Sequence, residues 1–256
     1  MGNDAGHAFV AGHYAARAQD YVSSTTHSTG ADLDQIEALL REVGHGADVL
    51  DLGCGGGHVS FRAAPHVARV VACDLTPSML DAVASEARTR GLDNIEVRQG
   101  AAERLPFADA AFDLVLSRFS AHHWLGFEAG LCEARRVLRP QGHAVFIDTI
   151  SPASGLLDTT LQSIELLRDA SHVRNHTLAD WVAALARAGL PVESVTPRRL
   201  PLEFAAWIAR TATEALRVQA IRSLQATAPA EVRDYFRFSE DGSFEIDTAC
   251  FVCRAG

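Results

Sequence analysis

Residues 49–60 read VLDLGCGGGHVS, and the next apolar run, RVVACDL at 69–75, contains an isolated acid, Asp74. Val49 and Leu50 belong to a short buried strand. After Asp51 come glycines at 53, 55, 56 and 57, so the backbone there can turn sharply and press against a ligand. From His58 onward the chain reads as the start of a helix, whose first N–H groups have no partner within the helix and face that ligand. Asp74 stands at the end of the following strand, where two ribose hydroxyls can each donate to a carboxylate. Strand, glycine turn, helix, strand and acid make one half of a nucleotide-binding fold.

The spacing narrows the nucleotide. A dinucleotide fingerprint G-x-G-x-x-G beginning at Gly53 requires glycine at position 58, which is His58. The triphosphate loop G-x-x-x-x-G-K-[ST] is missing as well. Instead the chain shows D-x-G-x-G-x-G through Asp51, Gly53, Gly55 and Gly57. In this it resembles the class I S-adenosylmethionine-dependent methyltransferases, where an acid precedes the glycine turn and faces the methionine end of the cofactor. The resemblance implies S-adenosyl-L-methionine as cofactor, S-adenosyl-L-homocysteine as product and no metal. It assigns Asp51, Gly53, Gly55 and Asp74 to cofactor binding, with Leu75 and Met79 as apolar contacts around the adenine.

The likeness continues through RQGAAERLPFADAAFDLVLSRFSAHHW at 98–124 and EARRVLRPQGHAVFIDTISP at 133–152. These are similar to the adenine loop, fourth strand, R-V-L-x-P-x-G turn and fifth strand of the type 11 group, which contains the ubiquinone and menaquinone C-methyltransferases. One position departs: the Asp that usually precedes Ala102 is here Ala101. Adenine recognition then falls to the backbone of Ala102, to Glu103 or to another group. An A-x-x-Y at Ala18 to Tyr21 is similar to an N-terminal helix that closes over the cofactor, which places Tyr21 near the methionine carboxylate and His27 close by.

The implied fold is α/β: a doubly wound, Rossmann-like mixed sheet of seven strands, the seventh antiparallel, with helices on both faces. Its strands fall at ADVLDLG, RVVACDL, IEVRQG, FDLVLS, HAVFIDTI, 190–195 and 244–254. Buried parallel strands of this kind read as continuous apolar runs linked by helices. Residues 77–90 are predicted helical with Met79, Leu80, Val83 and Ala87 inward, and Gly91 ends the helix. Residues 203–238 read as mainly helical, with Trp207, Ile208, Ala212, Leu216, Ile221 and Leu224 as the inward face. The expected layout is a single methyltransferase domain over 1–256. Within it 1–45 form an N-terminal lid, 46–150 the cofactor-binding core, and 151–177 with 201–243 the cover of the acceptor pocket.

The chain has 256 residues, of which 48% are hydrophobic, enough for one large core and against disorder. A net charge of −9 argues against non-specific binding to nucleic acid, which needs clustered Lys and Arg. No apolar run reaches the ~20 residues that span a bilayer, so no membrane insertion and a cytoplasmic location are expected. The five cysteines are scattered, and Cys250 and Cys253, three apart in a strand, point to opposite faces.

Methyl transfer from a sulfonium is an in-line displacement. Alignment alone can supply roughly 7 to 11 kcal/mol, so pocket shape is its main instrument. Where a small-molecule acceptor must also lose a proton, a base helps. His122 and His123 follow strand four at the carboxyl edge where α/β sheets bind ligands. Neighbours in an extended loop point apart, and His123 is the favoured one; bracing of the loop is the other reading. Arg118 ends the same strand, placed to reach the methionine carboxylate or to pair with a helix acid. The stretch RDASHVRNHT gathers Arg168, His172, Arg174 and His176. Convergence of His172 and Arg174 on the pocket would imply an anionic or carbonyl-rich acceptor, whereas a solvated face would imply nothing. The rivals are a nicotinamide-dependent oxidoreductase and a non-catalytic S-adenosylmethionine-binding protein.

Overall fold

The computed structural model describes residues 2–15 and 30–256. The order is α1 (Gly2–Ala15), α2 (Ala31–Val43), β1 (Asp48–Leu52), α3 (His58–Ala63), β2 (Arg69–Asp74), α4 (Pro77–Thr89), β3 (Ile95–Gln99), β4 (Phe112–Arg118), α5 (Phe127–Val137) and β5 (Leu138–Thr149). Then follow α6 (Gly155–Arg168), α7 (Leu178–Arg187), β6 (Val192–Leu202), α8 (Phe204–Arg210), α9 (Ala215–Thr227), α10 (Ala230–Phe236) and β7 (Phe244–Arg254). Tyr21 and His27 lie outside the described residues.

Seven strands form one sheet in the order β3-β2-β1-β4-β5-β7-β6. β1 to β5 pair in parallel, and β7 is inserted antiparallel to both β5 and β6. The sheet is buried on both faces because alternate residues of each central strand supply two separate cores. Leu114, Leu116, Val145 and Ile147 join Val49, Leu33 and Ile36 on one face. On the other, Val115, Ala144, Phe146 and Phe251 join Leu131 and Trp181. Cys250 and Cys253 divide between these cores, both fully buried.

Capping and patterning explain the best-defined helices. Met79, Leu80, Val83 and Ala87 are the buried face of α4, as their 3-4 spacing predicts. Thr177 caps α7 by accepting from the Asp180 N–H at 3.1 Å, and Asp180 reciprocates from its side chain.

The roof has a core of its own. Leu157, Leu161 and Ile164 of α6 pack with Trp207, Ile221, Val232 and Phe236 over Leu202, Phe244 and Ile246 at the ends of β6 and β7. The inward face expected over 203–238 needs correction at three positions: Ala212 is exposed, Leu216 is 76% and Leu224 39% exposed. Three separate helices, α8, α9 and α10, make up this segment, so a single helical period across it misassigns the faces.

Candidate active site

Strand order reverses between β1 and β4, so the chain leaves these neighbours in opposite directions and opens a crevice at their carboxyl ends. A cavity of about 410 Å³ occupies it. One half is built from the turn after β1 and the ends of β2 and β3. The other reaches under the roof, between β4, β5, α6 and the β6–β7 ribbon.

The cofactor half depends on backbone. Gly53 has φ +71°, and a Cβ there would sit 1.8 Å from Ser120 Oγ, so the turns after β1 and β4 meet only because this residue has no side chain. Gly55, at φ +48°, has nothing within 4 Å of the place a Cβ would take, which leaves a cradle beside its backbone. Asp74 faces the cavity and takes the Gly55 N–H on Oδ2 and the Thr76 N–H on Oδ1, each at 2.9 Å. Each oxygen keeps capacity for a further donor. Leu75, Met79 and Ala102 complete the wall. A cradle without Cβ, an oriented carboxylate and an apolar slot fit an adenosyl group.

Three residues assigned to the cofactor have other partners here. Asp51, 1% exposed, lies beneath the turn, outside the cavity wall; its Oδ2 takes the Ser60 N–H at 3.0 Å and the Ser60 hydroxyl at 2.6 Å. It thereby ties β1 to the first turn of α3. Burial pushes its carboxyl up to about 7, against the pull of the Ser60 bonds and with a push from Asp74. Glu103 lines the cavity, but its Oε1 accepts the Gly126 N–H at 2.9 Å and its Oε2 lies 3.2 Å from His7 Nε2. Arg118 also lines the cavity and pairs with Asp32 at the start of α2 at 2.5 Å.

α1 runs across the mouth, with His7 and Val10 on the cavity wall. His7 meets Glu103 on the cofactor side, and His13 meets Asp169 at 3.1 Å on the roof side. Six residues of helix, about 9 Å, separate the two histidines, so the helix bridges both halves.

His122 and His123 sit in a short 3-10 turn, Ala121–His123, not in an extended loop, and both line the cavity. Their surroundings differ. His122 Nδ1 lies 2.5 Å from Asp148 Oδ1, and Asp148 also accepts the N–H groups of Ala121 and Thr149 at 2.8 Å. Asp148, held below the usual carboxylate range against its own burial by His122 and these donors, is an acceptor only, so the proton resides on Nδ1. Burial lowers the pKa of His122, but Asp148 outweighs it and the net shift is upward. His123 contacts the Ser171 carbonyl at 3.1 Å, and burial with the neighbouring His122 pushes it down to about 4, against the pull of Asp169 and Asp148.

The stretch 168–177 divides. Arg168 and Asn175 line the cavity, whereas His172 and Arg174 do not. His172 is buried against Gln162 Oε1 at 2.8 Å and pushed down to about 3 by desolvation; Arg174 pairs with Asp158 at 2.9 Å on the surface. His176 stacks on Phe127. Three groups at or beside the cavity were missed in the sequence. Asp148 ends β5 as Asp74 ends β2, a signal available from strand position alone. Arg198 and Arg210 gave no local signal. Among the described residues no group of three or more His, Cys, Asp and Glu could hold a metal ion, and no helix is long and apolar enough to cross a membrane.

Fold and cavity together define a Rossmann-like α/β protein with a cavity at its topological switch point. A family model described as a methyltransferase domain matches residues 50–146. The chain is 47% identical over 195 residues to the uncharacterized protein YafE of Escherichia coli (strain K12), covering 76% of this chain and 94% of that protein. It is 34% identical over 188 residues to the uncharacterized methyltransferase YcgJ of Bacillus subtilis (strain 168), covering 73% and 74%. The crystal structure of YcgJ superposes with a TM-score of 0.84 over 88% of this chain and 97% of that one, at 30% identity. A putative methyltransferase from Bacillus halodurans C-125 gives the same score and identity over 88% and 99%. The chain belongs to the S-adenosylmethionine-dependent methyltransferase family.

Proposed function

We propose that the protein transfers a methyl group from S-adenosyl-L-methionine to a small-molecule acceptor by in-line displacement, with His122 as the base that takes the acceptor's proton. The observation that carries this reading is a single cavity with an adenosyl cradle in one half and the His122–Asp148 pair in the other. When bound, S-adenosylmethionine supplies an electrophilic methyl group on a positively charged sulfonium. Gly53 and Gly55 would border it, Asp74 would accept from the ribose, and Leu75 and Met79 would flank the adenine. Ala102 backbone remains for the adenine amino group, because Glu103 is engaged with α1 and Gly126.

The remaining work belongs to the chain's own side chains. Asp148 keeps the Nδ1 proton on His122, so Nε2 presents its lone pair to the acceptor; proton removal of this kind contributes about 10² to 10⁴ in rate. His123, deprived of charge by burial, braces the turn through Ser171. α1 closes the mouth and excludes water, supporting alignment. Against a non-catalytic binder stands the roof: Trp207 borders the acceptor half and leaves it open, and Phe204 packs in the roof core.

Calorimetric titration with S-adenosylhomocysteine and with oxidised nicotinamide cofactor tests the donor, and saturation by the second alone overturns the reading. Tritiated-methyl transfer to cell metabolites tests the acceptor; expected is label in a small-molecule fraction, and label only in macromolecules contradicts it.

A further inference from the structure

The chain carries a net charge of −9, yet the acceptor half of its cavity gathers guanidinium groups from three elements: Arg168 at the end of α6, Arg198 on β6 and Arg210 at the end of α8. Arg168 is oriented by its Nε, which donates to the Trp207 carbonyl at 3.1 Å, and by stacking on the Trp207 ring at 5.1 Å. Its Nη1 stands 3.8 Å from Glu165 Oε2, beyond hydrogen-bond length. Arg198 donates to Gln35 Oε1 at 2.5 Å. Arg199, its neighbour on β6, also borders the cavity but is paired with Glu245 and Asp247.

Three acids stand near this charge, and two of them have other partners as well. Asp148 accepts from His122, and Asp169 meets His13 and takes the Ser171 N–H and hydroxyl. Glu165 lies on the wall and pairs with Arg168 at 3.8 Å, so a single carboxylate there faces Arg168, Arg198 and Arg210; burial raises its pKa, while Arg168, His122 and Arg210 pull it down. Asn175 adds a neutral donor. It is 1% exposed and lines the cavity, and its Nδ2 has no hydrogen-bond partner. A buried amide donor without an acceptor is costly unless a ligand supplies one.

We infer that the acceptor carries an oxyanion, a carboxylate or a group of similar charge, held by Arg168 and Arg210 with Asn175 beside His122. This rests on the methyltransferase reading and deepens it. Guanidinium pairs with oxyanions through parallel N–H donors, and here the partner is desolvated, so the site selects for charge as well as shape. The same conclusion that His172 and Arg174 would have carried from the sequence is reached through different residues.

The test uses the full chain. A metabolite extract is split on an anion exchanger at pH 8, and each fraction is incubated with tritiated S-adenosylmethionine. Label is expected in the retained fraction, with kcat/KM about tenfold or more lower in Arg168→Gln and Arg210→Gln, partial recovery in Arg168→Lys, and unchanged S-adenosylhomocysteine affinity. Label confined to the unretained fraction, or both Gln variants within twofold of the natural protein, overturns the proposal while S-adenosylhomocysteine binding stands. Failure to bind S-adenosylhomocysteine at all removes the methyltransferase reading beneath it. A readout independent of turnover compares anilinonaphthalene sulfonate with the uncharged N-phenylnaphthylamine on the S-adenosylhomocysteine-loaded protein. Tighter binding of the sulfonate, lost in Arg168→Gln, supports the site; equal binding of the two dyes overturns it.

Discussion

The two halves of the cavity are made of different material. The cofactor half comes from a stretch of about fifty residues, between Asp51 and Glu103, and works through backbone: glycines without Cβ and N–H groups that orient one carboxylate. The acceptor half is made of side chains from β4, β5, α6, β6, α8 and β7, separated by up to half the chain. Backbone recognition tolerates little change and serves one ligand. Side-chain recognition can be rewritten by substitution without disturbing the sheet, so specificity resides there.

The contrast breaks most severely at Gly53. Replacement by Val forces a Cβ to 1.8 Å from Ser120 Oγ at a left-handed φ, and about 3 kcal/mol of stability should be lost, with S-adenosylhomocysteine binding abolished. Urea unfolding and calorimetry read both; a variant with native stability and affinity would show that the turn does not form the cradle. Asp74→Ala should weaken S-adenosylhomocysteine about a hundredfold while far-ultraviolet circular dichroism stays native, because two charge-assisted bonds are removed. An affinity within threefold would take the ribose role from Asp74.

In the acceptor half, Asp148→Asn should lower kcat about a hundredfold and leave S-adenosylhomocysteine affinity alone. Its pH profile sharpens the assignment. Activity should rise as pH passes upward through the His122 pKa, which lies above 6.5 in the natural protein, and that limb should move to lower pH once Asp148 no longer stabilises the imidazolium. A limb that stays in place would assign the base elsewhere.

The smallest expected effect is an opposition in pH-dependent stability. His123 and His172, depressed to about 4 and about 3 chiefly by burial, contribute stability that is fully present above pH 6.5 and is lost as pH falls toward those values. Asp51, raised to about 7, behaves oppositely: its folded form holds a proton the unfolded chain has released, so its contribution is lost as pH rises from 3.8 to 7. Denaturant midpoints between pH 4 and 7 should therefore rise more steeply in Asp51→Asn and less steeply in His172→Gln than in the natural protein. Parallel curves for all three would refute both placements.

Legibility followed the same division. The glycine turn, Asp74 and the α4 face were visible in the sequence because their geometry is set by neighbours within a few residues. Asp51 was read toward the ligand, and its bonds to Ser60, across nine residues of chain, show that it braces α3. Sequence favoured His123 as the one histidine facing the pocket; both line it, and Asp148, on a different strand, pairs with His122 instead. His172 and Arg174 were chosen over Arg168 because a one-dimensional cluster cannot show which side chains turn inward after α6 ends.

By itself the sequence determined a doubly wound sheet, the glycine turn and acid that border the cavity, and the family, since strand periodicity, glycine conformation and an acid at a strand end are local consequences of residue type. Tertiary structure alone decided which histidine acquires a carboxylate, which arginines converge and what α1 touches. Those facts depend on contacts between residues distant in the chain, where packing sets direction and burial, and no local preference encodes them.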